Sequence, residues 1–385
     1  MQRTRSGLVA GATALLLGLA GLGARDPTPQ PRLQPTYLGT AGLEAALAEL
    51  RASDGGGAWP TLGAGPTLAP GDRAESVAIL RARLAASGEA PSATDDPLRF
   101  DAALVEALRA FQRQHGLEVD GKVGLATRAE LDRSPRDRMR QIAETVAARR
   151  TLPADLGARF LLLNLPAFEL EAVDSGPPAL RLRVVVGTSD RPTPTLVSAV
   201  RGVVVHPFWN VPPRIARQEI APRAARDPGY LEHLGIDVFA AGGAIAASGV
   251  DWRAFQRGEI DLVLRQRPGP LNALGAISLQ FPNERNVCLH DTSDHSLFER
   301  ARRDLSHGCV RVDRALDLAR WLLAPAGEAA SMTLERALAG SLTAELALPE
   351  PVPIYIVDWP VWVDADGRLQ LRPEVYPERS QPARE

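Results

Sequence analysis

Residues 288–311 of the chain read Cys-Leu-His-Asp-Thr-Ser-Asp-His-Ser-Leu-Phe-Glu-Arg-Ala-Arg-Arg-Asp-Leu-Ser-His-Gly-Cys-Val-Arg, and they contain both of its cysteines and three of its six histidines. Residues 291–305, between His290 and Ser306, are enough for a short helix and a return of the chain. A fold that brings Cys309 back beside His290 produces a nucleophile and its base. The stretch therefore predicts covalent catalysis by a cysteine.

The residues around Cys309 fit the chemistry of acyl transfer. A free thiol has a pKa of about 8.5, so a neighbouring imidazole must either accept its proton or stabilise the thiolate as an ion pair. Gly308 permits close approach of the backbone, and the amides of Gly308 and Cys309 are expected to point at a developing oxyanion. Arg311 lies two residues past Cys309 on a predicted strand, hence on the same face, where it can hold a substrate carboxylate in bidentate fashion.

Outward from this stretch, the sequence predicts a mostly β domain. Residues 212–232 favour helical or irregular structure, and Asp313 is the expected N-cap of a helix over 314–323. Short strands with few helices indicate a sandwich or partly open barrel, not a βαβ architecture. Strand-like runs separated by Pro, Gly and Ser lie at 160–163, 168–173, 180–186, 203–206, 262–266, 276–280, 352–357 and 361–363.

A small three-helix domain is predicted ahead of the β region, over residues 68–133. Its apolar residues recur at helical spacing, and a connecting helix follows within 134–157. His115 is expected at a helix C-terminus, where the helix dipole favours its charge. The fold class is therefore α+β multidomain: a mostly β domain (sandwich or partly open barrel) with a capping insert, plus the helical domain.

Composition narrows the function classes. With 385 residues, the chain is expected to form two or three folded units at about 100–200 residues each. Its formal net charge of −2 and 23% charged residues argue against a nucleic-acid partner, which requires a concentrated basic face. Two cysteines supply neither a disulfide framework nor a four-cysteine zinc site, and no cofactor is expected.

The first 24 residues resemble an export signal. Arg3 and Arg5 precede an apolar stretch over 9–22, which small residues follow. That stretch is shorter than the ~20 residues of a spanning helix, so cleavage is favoured, with an uncleaved inner-membrane anchor as the alternative. A Pro/Gly/Ala-rich linker with a short helix is expected over 25–67, and a polar tail over 377–385. The expected location is the periplasm or cell envelope.

The helical domain resembles a known module. It is similar to the peptidoglycan-binding helical module of many cell-wall enzymes, and the alternative is a generic three-helix domain whose Asp-Gly pair is only a turn. The residues that carry the resemblance are Phe111-Gln112, Gly116-Leu117, Asp120-Gly121, Gly124 and Thr127.

The stretch from His290 to Arg311 resembles the signature of the L,D-transpeptidase (YkuD-type) family, in which a His and a spacer precede Ser-His-Gly-Cys-x-Arg. The likeness runs from about residue 61 to 376 and is closest to the large periplasmic subgroup. It implies a catalytic domain over 158–325 with a substrate-capping insert at about 207–267, and a C-terminal helix and strands over 326–376. Further matching segments are Val184-Val-Val-Gly-Thr, Thr193-Pro194, Val204-Val-His-Pro-Phe-Trp209, Leu274-Gly-Ala and Phe281-Pro-Asn.

The resemblance implies a mechanism and a partner. Cys309 attacks a stem peptide at the L-centre of diaminopimelate, expels D-Ala and forms a thioester, which the amine of a second stem resolves into a 3→3 cross-link. His290 is the implied base, oriented by a main-chain carbonyl, while Ser306 and His307 shape the pocket. The partners implied are a tetrapeptide donor and a diaminopimelate acceptor. Alternative acceptors for the same thioester are a protein lysine, a D-amino acid or water. The alternative function is that of a catalytically inactive peptidoglycan-binding protein.

Two side chains and one group of residues each keep two interpretations. Cys288 stands where relatives often carry an aromatic residue, and it is either a small buried apolar residue, the more ordinary case, or the partner of Cys309 in a reversible disulfide. Trp209 either stacks on substrate or packs in the core. A metal site built from His290, His295, His307 and Cys309 has suitable ligand types but a spacing typical of no zinc motif.

Overall fold

The structure is a computed structural model, and it describes residues 39–53, 59–153, 155–227, 229–364 and 366–376. The expected signal or anchor of residues 1–24, residues 25–38 and 54–58 of the expected linker, and the tail 377–385 lie outside the described residues. Within the described residues, no helix combines the length and the apolar character needed to cross a membrane.

The helices follow the apolar spacing of the sequence. In chain order they are α1 (Ala41–Ser53), α2 (Glu75–Ala86), α3 (Ala102–Gln114), α4 (Leu125–Leu131), α5 (Pro135–Arg149), α6 (Pro213–Ile215), α7 (Ala221–Ala224), α8 (Tyr230–His233), α9 (Trp252–Arg257), α10 (Ala315–Leu323) and α11 (Glu328–Ala339). A π-helical turn, Ala216–Ile220, joins α6 to α7.

The strands gather mostly after residue 158. In chain order they are β1 (Arg159–Asn164), β2 (Glu169–Asp174), β3 (Pro178–Gly187), β4 (Leu196–Val205), β5 (Trp209–Asn210), β6 (Ile236–Ala240), β7 (Gly243–Ile245), β8 (Val263–Gln266), β9 (Ile277–Gln280), β10 (Leu289–His290), β11 (Asp304–Ser306), β12 (Val310–Val312), β13 (Ala344–Val357), β14 (Val361–Val363) and β15 (Leu369–Leu371).

Helices α2, α3 and α4 form the helical module. Their apolar faces, with Leu80, Leu104 and Phe111, share one buried cluster, and the Asp101 side chain caps α3 by accepting from the Leu104 amide. Gln112 is fully buried and closes the Asp-Gly turn, because its side chain donates to Asp120 and accepts from the Gly121 amide.

His115 differs from the prediction of a charged helix terminus. Its ring is buried, stacks on Phe111 with 3.8 Å between ring centroids, and shares a 2.9 Å hydrogen bond with the Phe111 carbonyl. Burial lowers its pKa well below the ordinary value, and the nearby Arg138 charge acts in the same direction. His115 is the C-cap of α3, so its predicted place at a helix C-terminus is confirmed, but the imidazole is neutral and part of the module's packing, so the expected charge is wrong.

The region after residue 158 is a mostly β barrel. Within the described residues, one sheet runs β11-β3-β12-β10-β9-β4-β13-β1-β2, and an additional β2–β3 pairing closes it on itself. Most neighbours are antiparallel, but three pairs run parallel: β10 with β12, β1 with β13, and β3 with β11. Closure leaves few free sheet edges and fixes the positions of the short strands that carry the signature residues.

Two helices cover one side of the barrel interior. Leu318 and Leu322 of α10 and Leu334 of α11 are fully buried in the same cluster as the barrel strands. The expected N-cap of α10 is wrong: the residue at that position is Arg314, with φ 51°, and no side chain caps the helix. The Asp313 carboxylate instead accepts a hydrogen bond from Arg183.

The segment between β4 and β9 forms a separate small layer, called the cap below. Strands β5, β8, β6 and β7 make a four-stranded sheet. The apolar side chains of this sheet pack with those of α6 to α9 in a cluster of their own, around Trp252, Phe255 and Leu264. The cap therefore has its own core, distinct from that of the barrel.

The C-terminal segment joins the two larger parts. Strand β13 lies between β4 and β1 in the barrel sheet, and the hairpin β14–β15 follows it. Gln114 of α3 donates to the Leu369 carbonyl at 2.9 Å, and Gln141 of α5 donates to the Arg372 carbonyl at 2.7 Å. Helix α1 packs its Leu43 and Leu47 against α5 and the same hairpin. The C-terminal segment thus attaches the helical module to the barrel.

Candidate active site

Strands β10 and β12 bring the two halves of the signature together. Their parallel register aligns Leu289 with Val310 and His290 with Arg311, and the Val310 amide donates to the Cys288 carbonyl at 2.8 Å. Each strand is only two or three residues long, but the barrel neighbours β9 and β3 fix them on either side. Residues far apart in the stretch are therefore adjacent across one ladder.

The same ladder joins the two cysteines. Cys288 and Cys309 precede β10 and β12, their Cα atoms are 4.9 Å apart, and their sulfur atoms are bonded in a disulfide. The ordinary interpretation of Cys288 as a free buried residue is therefore wrong for this structure. Both side chains are partly exposed and line the same cavity.

His290 is buried and oriented by the backbone. Its Nδ1 lies 2.5 Å from the main-chain carbonyl of Asp291. The backbone of Asp291 is itself joined to β9, because its amide donates to the Ile277 carbonyl. A carbonyl can only accept, so we infer that Nδ1 carries the hydrogen and Nε2 the lone pair. Burial lowers the pKa of His290 to about 4; the Asp291 hydrogen bond opposes this and the Arg311 charge adds to it. The ring is thus neutral at neutral pH.

Ser306 closes a tight turn around Gly308. The Ser306 hydroxyl donates to the Cys309 carbonyl at 2.5 Å and accepts from the Gly308 amide at 3.1 Å. Gly308 has φ 112°, a conformation that other residues rarely adopt. One of the two expected oxyanion donors, the Gly308 amide, is therefore engaged inside the turn. Among the described residues, the Cys309 amide has no hydrogen-bond acceptor.

His307 points to the cap and away from the barrel interior. Its Nε2 lies 2.7 Å from Glu219 Oε1, and Arg191 donates to the same oxygen at 3.0 Å. Although burial acts to raise the pKa of Glu219, the hydrogen bonds from Arg191 and His307 lower it. Glu219 was not among the residues predicted from sequence, because it lies 88 positions from His307.

A cavity of about 680 Å³ lies between the barrel and the cap. Cys309, His290 and Arg311 line it from the barrel, and the half-buried Trp209 lines it from the cap while also packing against the cap core. Both interpretations of Trp209 therefore describe part of its surroundings. Ser306, His307 and Gly308 also line the cavity.

The cavity carries an excess of positive charge. Its arginines are Arg191, Arg214, Arg223, Arg285 and Arg311, whereas its carboxylates are Asp190 and Glu219, both paired with Arg191. Burial lowers the pKa of Arg311, which the Asp294 charge opposes, but a guanidinium keeps its charge at neutral pH. The arrangement suits a substrate with several carboxylates.

The proposed metal ligands do not converge. His307 is paired with Glu219, Cys309 is bonded to Cys288, and His295 lies at the surface, 3.7 Å from Asp291. The part of the chain that the structure describes contains no group of three or more His, Cys, Asp or Glu residues suited to hold a metal ion.

Comparison with known families identifies the class of protein. The model of the L,D-transpeptidase catalytic domain (YkuD) matches residues 158–354, and the model described as "Putative peptidoglycan binding domain" matches residues 73–131. The first match covers more than half of the chain. The chain therefore belongs to the L,D-transpeptidase family, with a peptidoglycan-binding-type module on its N-terminal side.

Several individual proteins are similar to parts of this chain. A "Putative L,D-transpeptidase" of Haemophilus influenzae is 32% identical over 219 residues, which are 56% of this chain and 44% of that protein. The chain thus spans less than half the length of this curated relative. An L,D-transpeptidase of Xylanimonas cellulosilytica is similar at 17% identity, 76% of this chain, 98% of that chain and a TM-score of 0.24. An L,D-transpeptidase from Mycobacterium smegmatis is similar at 12% identity, and the match covers 52% of this chain and 58% of that chain with a TM-score of 0.26.

Proposed function

We propose that the protein is a peptidoglycan L,D-transpeptidase that forms 3→3 cross-links through a thioester on Cys309. The observation that carries the proposal is the ladder of β10 and β12, which sets Cys309, His290 and Arg311 on one wall of a cavity with excess positive charge. A peptide stem bears carboxylates along its length, so such a cavity suits it. Family membership supports the same reaction class.

In the proposed reaction, His290 Nε2 takes the thiol proton of Cys309 while the sulfur attacks the carbonyl at the L-centre of the donor stem. The neutral state of His290 favours this proton transfer over a preformed ion pair in the absence of substrate. The Cys309 amide donates to the oxyanion, and Arg311 binds a substrate carboxylate. Ser306 supports the turn.

The tetrahedral intermediate then collapses. The bond to the terminal D-Ala breaks, its amine takes the proton from His290, and a thioester remains on Cys309. In the second half, His290 accepts a proton from the diaminopimelate amine of another stem as that amine attacks the thioester. The new amide bond forms, and the thiol leaves with its proton. The cap contributes Trp209 to the cavity and contacts the barrel turn through the Glu219–His307 pair, and it encloses the donor during both halves.

The setting of the reaction is part of the proposal. A peptidoglycan-binding module joined to the barrel by the C-terminal hairpin would keep the enzyme on its polymer. Peptidoglycan lies outside the inner membrane, so we propose a periplasmic location, with membrane contact only through the N-terminal segment if it stays uncleaved. No nucleic acid, metal or cofactor has a role in the proposed reaction.

One observation favours a second candidate. The disulfide occupies the proposed nucleophile, as a peptidoglycan-binding protein without catalysis would tolerate. The two candidates differ under reducing conditions, because only an enzyme gains activity when the thiol is released. Another acceptor (a protein lysine, a D-amino acid or water) would use the same acyl-enzyme and change only the product.

The test is incubation of the reduced protein with a disaccharide-tetrapeptide, followed by mass spectrometry of protein and products. We expect an acyl-enzyme that has lost D-Ala and a 3→3 dimer. Cys309→Ala should give neither, while the matched variant Cys288→Ala should give both. Cross-linking by Cys309→Ala would contradict the mechanism, and tight binding without any acyl-enzyme would favour the second candidate.

A further inference from the structure

The last described residue, Tyr376, is buried and bonds to the loop that contacts the turn around Gly308. The Tyr376 hydroxyl donates to the Gly187 carbonyl at 2.8 Å and accepts from the Thr193 amide at 3.0 Å. Both Tyr376 and Thr193 are buried, at 3% and 0% exposure. The tyrosine thus closes the loop between the end of β3 and Thr193 at its narrow base.

Thr193 passes this constraint to Gly308. Its hydroxyl accepts from the Gly187 amide at 2.9 Å and donates to the Gly308 carbonyl at 2.8 Å. The approach is close: a Cβ added to Gly187 would lie 3.0 Å from Gly308 Cα. Gly187, Thr193 and Gly308 are therefore in direct contact with one another. The Tyr376 hydroxyl joins the Gly187 carbonyl to the Thr193 amide at this contact.

The Gly308 carbonyl is chemically tied to the oxyanion donor. The carbonyl of Gly308 and the amide of Cys309 belong to one planar trans peptide group, in which the C=O and N–H bonds point in opposite directions. A hydrogen bond that fixes the carbonyl therefore fixes the direction of the amide. Because Ser306 already engages the Gly308 amide, the Cys309 amide is the donor that remains.

We propose that Tyr376 and Thr193 are positioning residues that aim the Cys309 amide at the oxyanion. The inference rests on the proposed function only in assuming that Cys309 is acylated. Neither side chain touches the reacting atoms, and each acts through Gly308. Removal of the Tyr376 hydroxyl would let the 308–309 peptide group rotate while the sulfur keeps its place.

The test compares Tyr376→Phe with wild type in two reactions of Cys309, in the reduced protein. Acylation by 4-nitrophenyl acetate passes through an oxyanion, whereas alkylation by iodoacetamide does not. We expect Tyr376→Phe to slow acylation about tenfold, less than the 10²–10³ that follows complete loss of an oxyanion donor, with alkylation unchanged within about twofold. With the stem-peptide donor, kcat should fall and KM should stay.

Thr193 supplies a conservative pair. Thr193→Val should reproduce the acylation defect, and Thr193→Ser, which keeps the hydroxyl, should restore most of the rate. A purely structural role would slow acylation and alkylation together. Equal acylation by wild type and Tyr376→Phe, or parallel loss of both reactions, would overturn the proposal. Failure of wild type with the stem peptide but not with the ester would count against the proposed substrate and leave this inference standing.

The disulfide carries a second, independent inference. Cys288 and Cys309 directly precede the neighbouring parallel strands β10 and β12, with a Cα separation inside the ordinary range for disulfides of about 4.4–6.8 Å. The Cys288 amide also donates to the Cys309 sulfur at 3.2 Å. Both residues line the open cavity, so a small thiol or disulfide has access to the bond.

We infer that Cys288 is a redox partner that switches Cys309 off, given the proposed role of Cys309. Oxidation removes two protons and two electrons from the pair of thiols and forms one S–S bond, and a disulfide-containing oxidant such as oxidised glutathione accepts them as two thiols. A thiol reductant reverses the exchange. While the bond exists, the Cys309 sulfur is bonded to the Cys288 sulfur and cannot form the thiolate that attacks a carbonyl.

The test follows mass and reactivity of the full chain without and with oxidised glutathione. Wild type should lose about 2 Da and become at least tenfold less reactive toward iodoacetamide, and dithiothreitol should restore both. Cys288→Ala should instead form a mixed disulfide with glutathione. Two free thiols in wild type after oxidation, or full acylation of the oxidised form, would overturn the inference, whatever the natural substrate is.

Discussion

The two walls of the cavity between the barrel and the cap are built in different ways. On the barrel side, His290 lies in β10 and Cys309 directly precedes the adjacent β12, and partly buried hydrogen bonds to Asp291 and Ser306 fix them. On the cap side, the contact with the signature is the cluster of Glu219, His307 and Arg191, all of which are partly exposed. One wall is held by the backbone and the other by charges at the surface.

This difference separates two tasks. Groups fixed in a buried ladder keep their geometry whether or not substrate is present, as the chemical step requires. An exposed ion pair is worth little, typically about 0–1 kcal/mol, and salt weakens it, so the cap can separate from the barrel at small cost. We therefore expect changes in the barrel wall to affect kcat and changes in the cap wall to affect KM.

The two histidines of the signature give the largest expected contrast. His290→Ala removes the base and should lower kcat by about 10²–10⁴, while His307→Ala should change KM by only a few-fold, because it breaks a partly exposed contact. Steady-state kinetics on the reduced enzyme with the tetrapeptide donor measures both. A loss of kcat for His307→Ala as large as for His290→Ala would show that the two walls do not divide the tasks in this way.

The buried imidazole also predicts a pH-dependent stability that belongs to the barrel. In the unfolded chain, His290 binds a proton near its ordinary pKa of about 6.5, but burial in the folded, oxidised protein lowers that pKa to about 4. Between these values the unfolded state binds more protons, so the free energy of unfolding falls as pH falls. The loss from pH 8 to pH 4 should be ~3 kcal/mol from this group.

Guanidinium unfolding at a series of pH values measures the effect, without reductant. His290→Gln should flatten the profile by the stated amount, and the buried His115 should contribute a further loss of the same sign. The exposed His233 of the cap is the matched control, and His233→Gln should leave the profile unchanged. Equal flattening by both variants would indicate that the barrel histidine is not held neutral by burial.

Much of this molecule was predictable because local patterns and partners agreed. Helix α3 shows amphipathic spacing over thirteen residues, directly after its Asp101 cap, and the predicted runs between Pro and Gly residues include strands of the barrel. Where structure depends on distant partners, prediction was weaker. Residues 196–202, the part of β4 that the sequence did not predict, contain Ser, Arg and Gly. They form a strand because β13 pairs with β4 from Leu196 to Val205.

The site followed the same rule. Cys309, His290 and Arg311 could be singled out as candidates because their spacing is itself the signature, and the structure places all three on one cavity wall. The contacts that hold the turn were not found, since Tyr376 reaches Thr193 across 183 positions and Glu219 reaches His307 across 88. No local pattern marks such a partner. His115 and Asp313 were misjudged because packing and an arginine partner outweighed their helix-terminal preferences.

Two arginines that face the cavity from opposite walls sharpen the comparison. Arg311 stands in the barrel ladder, half-buried, and Arg214 is exposed on the cap, where it donates to Gln218. A charge-assisted hydrogen bond to a substrate carboxylate is worth about 1.5–3 kcal/mol, so Arg311→Ala should weaken donor binding by about 10–100-fold. Arg214→Ala should weaken it by less than about threefold. Donor binding to the acylation-deficient Cys309→Ala background, measured by calorimetry, separates the two, and equal effects would contradict a prepared barrel wall.

The smallest expected effect tests the contact between the walls directly. Glu219→Gln keeps the shape but removes the charge that pairs with His307 and Arg191, so the cap should close less readily. Because an exposed pair is worth up to about 1 kcal/mol, KM should rise by no more than about fivefold with kcat unchanged. Salt screens the same pair, so KM of Glu219→Gln should respond less to added NaCl than KM of wild type. Asp261→Asn, which breaks an ion pair with Arg217 inside the cap, is the control and should leave both KM and its salt dependence unchanged. A fall in kcat for Glu219→Gln would mean that the cap contact positions the reacting atoms, and the division between the two walls would then be lost.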